Sequence, residues 1–170
     1  MKIRFDLLVL AFVFTGCFYA PMQHPLPVRR DRIEIALPYD LAWQAVRDVV
    51  ARNRYRIIVE DPDHGLIETQ APGGFTLKDA DCGKVGGIAG RFASEPDIDS
   101  SAVYNFKIAP MGNESSTVSV QATFTAPLHV PFHSTTSMQC VSRGYAEARL
   151  LKQIALHARE VHRPIFKPPE

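Results

Sequence analysis

The clearest pattern in this chain is the alternation of apolar and polar residues in two neighbouring segments, 102–109 and 116–125. In the first, Tyr104, Phe106 and Ile108 share one face. The apolar positions of the second are Val118, Val120, Ala122 and Phe124. Because side chains alternate across a strand, this pattern predicts two antiparallel strands with one dry and one wet face.

Two other segments have a helical period. After Pro38, which suits the first turn of a helix, a helix is predicted from about Tyr39 to Asn53. Its apolar face consists of Ala42, Val46, Val49 and Val50. A closing helix is predicted from a cap at Ser142 to about Ala158. Its predicted buried stripe consists of Tyr145, Ala148, Leu151, Ile154, Ala155 and Ala158.

Three shorter strands are also predicted. Residues 32–37 alternate, and residues 55–60 and 66–70 flank the turn Asp61-Pro62-Asp63-His64-Gly65, whose composition is typical of a hairpin. Including the two helices, the order is β-α-β-β-β-β-α. Strands and helices do not alternate regularly, which argues against a doubly wound parallel sheet. The predicted fold is therefore α+β, with an antiparallel sheet packed on two helices.

Two long stretches lack any period. Residues 71–101 are rich in glycine, and one short strand is expected there, near 75–79 or 83–88. Residues 126–139 contain two prolines and are also predicted to be irregular.

The chain begins with the order of features found in bacterial secretory signals. Lys2 and Arg4 precede the apolar run 7–14, and Thr15, Gly16 and Cys17 follow it. The run is too short to span a bilayer, which needs about 20 residues in a helix.

This ending resembles a lipobox, where a lipoprotein signal peptidase cuts before a lipid-modified cysteine. The resemblance implies that residues 1–16 are removed and that the acylated Cys17 attaches the protein to a membrane. Phe18, rather than Asp, follows the cysteine, and this favours the outer membrane with the domain in the periplasm. The alternative is an ordinary signal peptide, cut after a small residue such as Ala20.

The composition of the remaining residues indicates one domain flanked by a tether and a tail. The net charge of the 170-residue chain is +1 and 46% of the residues are hydrophobic, which suits one domain with a substantial core, at 32–160. Residues 17–31 and 161–170 are rich in proline and are predicted to be a flexible tether and a tail. Lys and Arg do not form a basic stripe, so the sequence does not indicate nucleic acid as a partner.

Cys82 and Cys140 remain once Cys17 is assigned to lipid. In an oxidising periplasm such a pair most often forms a disulfide. The alternative is two free thiols, one of them reactive. A metal site is disfavoured, because neither thiol has a CxxC or HxxxH companion on a helix.

The sequence contains no persuasive catalytic or metal-binding pattern, so no cofactor is predicted. The glycines of 86–90 follow Lys84, instead of preceding a Lys-Ser/Thr pair as in a phosphate-binding loop. His129 and His133 flank Pro131, which disfavours a helical metal site.

Six aromatic residues are candidates for a ligand groove, although ordinary core packing is the favoured interpretation of them. They are Trp43, Tyr55, Phe75, Tyr104, Phe106 and Phe124. Glu147 lies between Arg143 and Arg149, and the sequence does not decide whether it faces solvent or binds these arginines.

Three segments, 37–46, 54–57 and 61–69, resemble the helix-grip domains of envelope lipoproteins such as BamC of the outer-membrane β-barrel assembly machinery. There too, Pro and Trp open the helix, and an aromatic strand leads to an Asp-x-x-x-Gly hairpin. BamC has two such domains, whereas this chain has room for one. The segments around Cys82 and Cys140 look more like those of uncharacterised one-domain bacterial lipoproteins.

The resemblance implies a disulfide-bonded periplasmic domain without catalysis. The leading expectation is therefore a non-enzymatic, lipid-anchored domain that binds another envelope component, in a BamC-like accessory role. The alternative is a carrier that holds a small molecule or lipid in a groove between the sheet and the closing helix.

Overall fold

The computed structural model describes residues 31–83, 100–128 and 136–161, and within them it contains seven strands and two helices. The strands are β1 (Arg32–Ile35), β2 (Arg56–Asp61), β3 (Leu66–Gln70), β4 (Ala80–Asp81), β5 (Ser101–Met111), β6 (Ser115–Leu128) and β7 (Thr136–Ser142). The helices are α1 (Tyr39–Arg52) and α2 (Tyr145–Val161). All strand pairs are antiparallel, which confirms the predicted α+β fold.

The long strand β6 organises the sheet. The strand order is β2-β3-β5-β6-β7-β4, with β1 as an additional neighbour of β6. One edge of β6 pairs with β5, from Ser115 to Thr125. The other edge is shared, because β1 pairs with residues 116–119 and β7 pairs with residues 124–128.

The core lies between this sheet and the two helices. The alternation predicted for β5 and β6 is present, since Phe106, Ile108, Val120 and Phe124 are all buried. Burial of each such side chain contributes about 1.5–3 kcal/mol. The helices pack side by side in opposite directions. Two contacts link them, from Asn53 Nδ2 to Gln153 Oε1 at 2.8 Å and between His157 Nε2 and Asp48 Oδ2 at 2.8 Å.

The β2–β3 hairpin is tied to the middle of the sheet through its glycine. Gly65 has a φ of 65°. Its N–H donates to Pro62 O at 3.2 Å, and its carbonyl accepts from the N–H of Ile108 at 2.8 Å. A Cβ on Gly65 would lie 2.0 Å from the carbonyl oxygen of Ile108. Both the backbone conformation and the close approach therefore require glycine.

Three sequence predictions about elements are wrong. The order β-α-β-β-β-β-α has too few strands, because the described residues contain seven and β7 was not predicted. One short strand was expected within 71–101, near 75–79 or 83–88; β4 lies in this stretch at Ala80–Asp81, and residues 84–88 are outside the described ranges. The stretch 126–139 is not irregular throughout, since β6 continues to Leu128 and β7 begins at Thr136.

The third error concerns the buried face of α2. Tyr145 was expected in the core but is exposed, whereas Glu147 and His157 are buried. Burial of these two polar side chains is offset because each has a hydrogen-bond partner. Ser142 donates to Glu147, and Asp48 bonds His157.

Several predictions fall outside the described residues. These are the leader, the lipidated Cys17 and nearly all of the tether, the glycines of 86–90, His129 and His133, and the tail from residue 162 onward.

Candidate functional site

A cleft of about 900 Å³ opens at the end of the sheet where α1 ends and α2 begins. The segment 71–79, between β3 and β4, forms its third side. The cleft is lined by Asn53, Tyr55, residues 71–79, Tyr104, Arg143, Tyr145 and Arg149. Its volume falls within the range of about 300–1,000 Å³ that is typical of small-molecule sites.

One wall of the cleft is aromatic. The rings of Tyr55 and Tyr104 are stacked, with centroids 5.2 Å apart and planes inclined at 11°. Phe75 lies against Phe124, with a centroid distance of 4.9 Å. Tyr104 is buried, and this burial raises the pKa of its hydroxyl well above the usual 10. Tyr55 and Phe75 are only partly buried, so their rings form the accessible part of the wall.

The structure brings together some of the six aromatic residues considered as groove candidates, but not all of them. Tyr55, Phe75 and Tyr104 line the cleft. Phe124 supports them from behind through its contacts with Phe75 and Tyr104. The other two lie elsewhere. Phe106 is fully buried, and Trp43 on α1 packs near Tyr39, with ring centroids 6.1 Å apart.

Another part of the cleft lining carries charge. Arg143 follows β7 directly, and Arg149 lies in the second turn of α2. The Nη1 atom of Arg149 is 3.6 Å from Asp79 Oδ1, and Nη2 of Arg143 is 3.6 Å from Asp81 Oδ2. Sequence reasoning did not assign these arginines to a site. The only sequence feature that marked them was their spacing around Glu147. That spacing does not predict that they lie near the segment 71–79.

A local network fixes the start of α2 beside this cleft. Ser142 Oγ accepts from the N–H of Gly144 at 3.0 Å and donates to Glu147 Oε1 at 2.5 Å. Glu147 is buried in the first turn, where a carboxylate also interacts favourably with the helix dipole. The question left open by the sequence is thus answered, since Glu147 faces inward and bonds Ser142.

The segment 71–79 is held in place at its carboxyl end. Thr76 donates to Asp79 Oδ2 through its hydroxyl at 2.8 Å and through its N–H at 3.2 Å. The carbonyl of Asp79 accepts from the N–H of Arg143 at 2.8 Å. The Sγ atoms of Cys82 and Cys140 are 2.04 Å apart, at disulfide distance, just beyond the β4–β7 pair. This side of the cleft is therefore fastened to β7.

In the described ranges, no group of three or more His, Cys, Asp or Glu side chains is arranged to hold a metal ion. Neither helix of this part of the chain is long and apolar enough to cross a membrane.

No protein-family model matches the sequence, and no curated protein matches it.

Proposed function

We propose that this chain is an exported, lipid-anchored domain that binds a ligand of the cell envelope in the cleft beside Tyr55, without catalysing a reaction. The observation that carries the proposal is the cleft itself. It is concave, of ligand size, and combines aromatic rings with a few charged groups. Ligand sites usually combine an apolar wall with a small number of polar groups that fix orientation.

The Tyr55 ring is the strongest single element of this argument. A partly exposed aromatic ring costs little entropy to present, because the stack on Tyr104 already holds it. A flat ligand can continue this stack into the cleft. We therefore expect Tyr55 to contribute more to binding than any other apolar residue of the wall.

The proposed location rests on two further observations. The first is the leader with its lipobox-like ending at Cys17. The second is the pairing of Cys82 with Cys140, since disulfides persist in oxidising compartments. The intact mass of protein purified from bacterial membranes tests both points. We expect loss of residues 1–16, addition of acyl chains and loss of two hydrogens at the cysteine pair. The unprocessed mass would contradict the proposed location.

The proposed binding is tested by native mass spectrometry of the mature protein released from membranes. We expect a copurified small molecule that is lost in Tyr55→Ala and retained in Tyr55→Phe, because the phenylalanine keeps the ring. Lys107→Gln, on an exposed part of β5, is a control that should retain the molecule. A protein that never carries a cleft-dependent ligand would contradict the proposal.

A second candidate is the docking of another envelope protein, in the accessory role that the resemblance implies. It is favoured by the edge strand β2, which in the described part of the chain pairs with β3 alone and exposes Ile58 and Val59. A strand from a partner could add to this edge. A bulge between Ile57 and Val59 works against such pairing, so the cleft ranks first.

A photo-crosslinking residue distinguishes this second candidate. Placed at Val59, it should capture an envelope protein in living cells, and placed at Lys107 it should not. Equal capture from both positions, or none from Val59, would count against docking at β2.

A further inference from the structure

The charged side of the cleft is built in two layers. The carboxylates of Asp79 and Asp81 lie inside, with side chains 10% and 18% exposed. The guanidinium groups of Arg149 and Arg143 lie outside them, with side chains 52% and 38% exposed. The buried acids therefore orient the two arginines through ion pairs, and the more exposed guanidinium groups face the cleft.

These ion pairs leave hydrogen-bond donors unused. Each guanidinium has five N–H groups, and a separation of 3.6 Å is longer than a normal hydrogen bond to a carboxylate. The Nε atom of Arg143 is buried and has no hydrogen-bond partner in the described part of the chain. The two arginines are thus oriented by Asp79 and Asp81, yet much of their donor capacity is unfilled.

Much of the nearby negative charge is bound to other groups. Glu147 is buried, and its Oε1 atom accepts from Ser142, whereas its Oε2 atom has no hydrogen-bond partner in the described residues. Asp79 contacts the cleft, but its carboxylate is occupied by Thr76 and Arg149. Lys78, at the rim, adds another positive charge.

We propose that the ligand carries an oxyacid anion, a carboxylate or a phosphate monoester, joined to an aromatic ring or a similarly flat apolar body. The anion binds Arg143 and Arg149, and the ring lies along Tyr55 and Phe75. Arginine suits this task because its planar fork of donors matches both kinds of anion. This inference rests on the cleft being the binding site.

The test uses three probes that share one ring system, with the mature full-length protein in a non-ionic detergent. They are 1-naphthoate, 1-naphthyl phosphate and the neutral 1-naphthamide. Affinities are measured by calorimetry, with protein-free micelles as the blank. We expect at least one anionic probe to bind about tenfold or more tightly than naphthamide, since charge-assisted hydrogen bonds are the stronger ones. The preferred anion then identifies carboxylate or phosphate chemistry.

Arg143→Gln and Arg149→Gln should each remove most of this preference and leave the binding of naphthamide unchanged. Arg149→Lys keeps the charge and should retain part of the preference. Arg159→Gln, on the same helix but away from the cleft, is the matched control and should behave as wild type. Thermal unfolding of every variant establishes that it is folded.

Two results would overturn the inference. One is equal affinity for the charged and neutral probes. The other is an equal loss of all three probes in the arginine variants. If the anions fail but the protein still carries a Tyr55-dependent molecule from membranes, only the charge inference is refuted. If no probe binds and no molecule copurifies, the proposed binding function fails as well.

Discussion

Gly65 and Gly112 provide a matched test of how closely the β2–β3 hairpin is fitted to the sheet. Both are glycines of hairpin turns, with φ values of 65° and 75°. A Cβ on Gly65 would meet Ile108 O at 2.0 Å, whereas a Cβ on Gly112 would meet nothing within 4 Å. Replacement of each by alanine therefore separates backbone strain from steric overlap.

The magnitude follows from these distances. Left-handed backbone costs an L-residue about 1–2 kcal/mol, and this cost is common to both variants. In Gly65→Ala the turn must also move by more than about 1 Å to reach van der Waals contact. That movement disrupts the 2.8 Å bond from Ile108 N to Gly65 O, and leaving such groups unpaired costs about 1–3 kcal/mol. We expect Gly65→Ala to lose about 1–3 kcal/mol more than Gly112→Ala.

Urea denaturation of the oxidised protein, followed by far-ultraviolet circular dichroism, measures this difference. The slope of the free energy of unfolding against urea concentration should be the same for both variants. A change in midpoint then reports a change in stability alone. A difference below about 1 kcal/mol would refute the reasoning, because it would mean that the turn can move away from Ile108 without a loss of stability.

Three further outcomes are expected. Replacement of Cys82 and Cys140 together by serine should lower the free energy of unfolding by about 4 kcal/mol, from loss of a crosslink across 58 positions; a loss near zero in denaturation would contradict this. The stability that Tyr104 gains from its raised pKa should be fully present below pH 10 and be lost as pH rises through the folded-state value. Absorbance at 295 nm should therefore show no ionisation of Tyr104 near pH 10 when compared with Tyr104→Phe, and a normal titration would contradict it. Hydrogen bonds from the N–H and ring of His64 lower the pKa of Asp61. The contribution of Asp61 to folding stability should therefore be present above pH 3.8 and be lost as pH falls through the lower pKa of the folded protein. Carboxyl NMR should find that His64→Ala raises the pKa of Asp61 only partway, because the backbone bond remains; no change would contradict the assignment.

Elements with a strong local signal were predictable from the sequence. The strand Leu66–Gln70 has the predicted bounds, and the predicted helix from Tyr39 ends one residue beyond the observed one. In both cases a turn or proline marks the boundary and the apolar period is unambiguous. The α+β fold follows from these signals, since the strands cluster instead of alternating with helices.

The strand β7 was missed because its stabilisation is not local. Its apolar and polar residues do not alternate cleanly, since Val141 is exposed whereas the inward positions hold Met138 and Cys140. It exists because β6 continues past Phe124 and offers a pairing edge, even through Pro127, which pairs with Ser137. Sequence patterns do not register a partner that lies elsewhere in the chain.

The cleft was only half predictable for a similar reason. Tyr55, Phe75 and Tyr104 were candidates because aromatic residues stand out in a sequence. The arginines were not, because the acids that pair with Arg143 and Arg149, Asp81 and Asp79, lie far from them in the sequence. Such a layer of charge depends on how the segment 71–79 folds back, which no short-range pattern encodes.

The position of β1 has a consequence for the order of folding. β1 is the first strand of the described residues, yet Arg32 pairs with Ser119 and Ile35 pairs with Ser116. During synthesis from the amino end, β1 therefore cannot pair until β6 has been made. Contacts of such large sequence separation close slowly and form late. Weakening the β1–β6 pair should thus accelerate unfolding while leaving the refolding rate nearly unchanged.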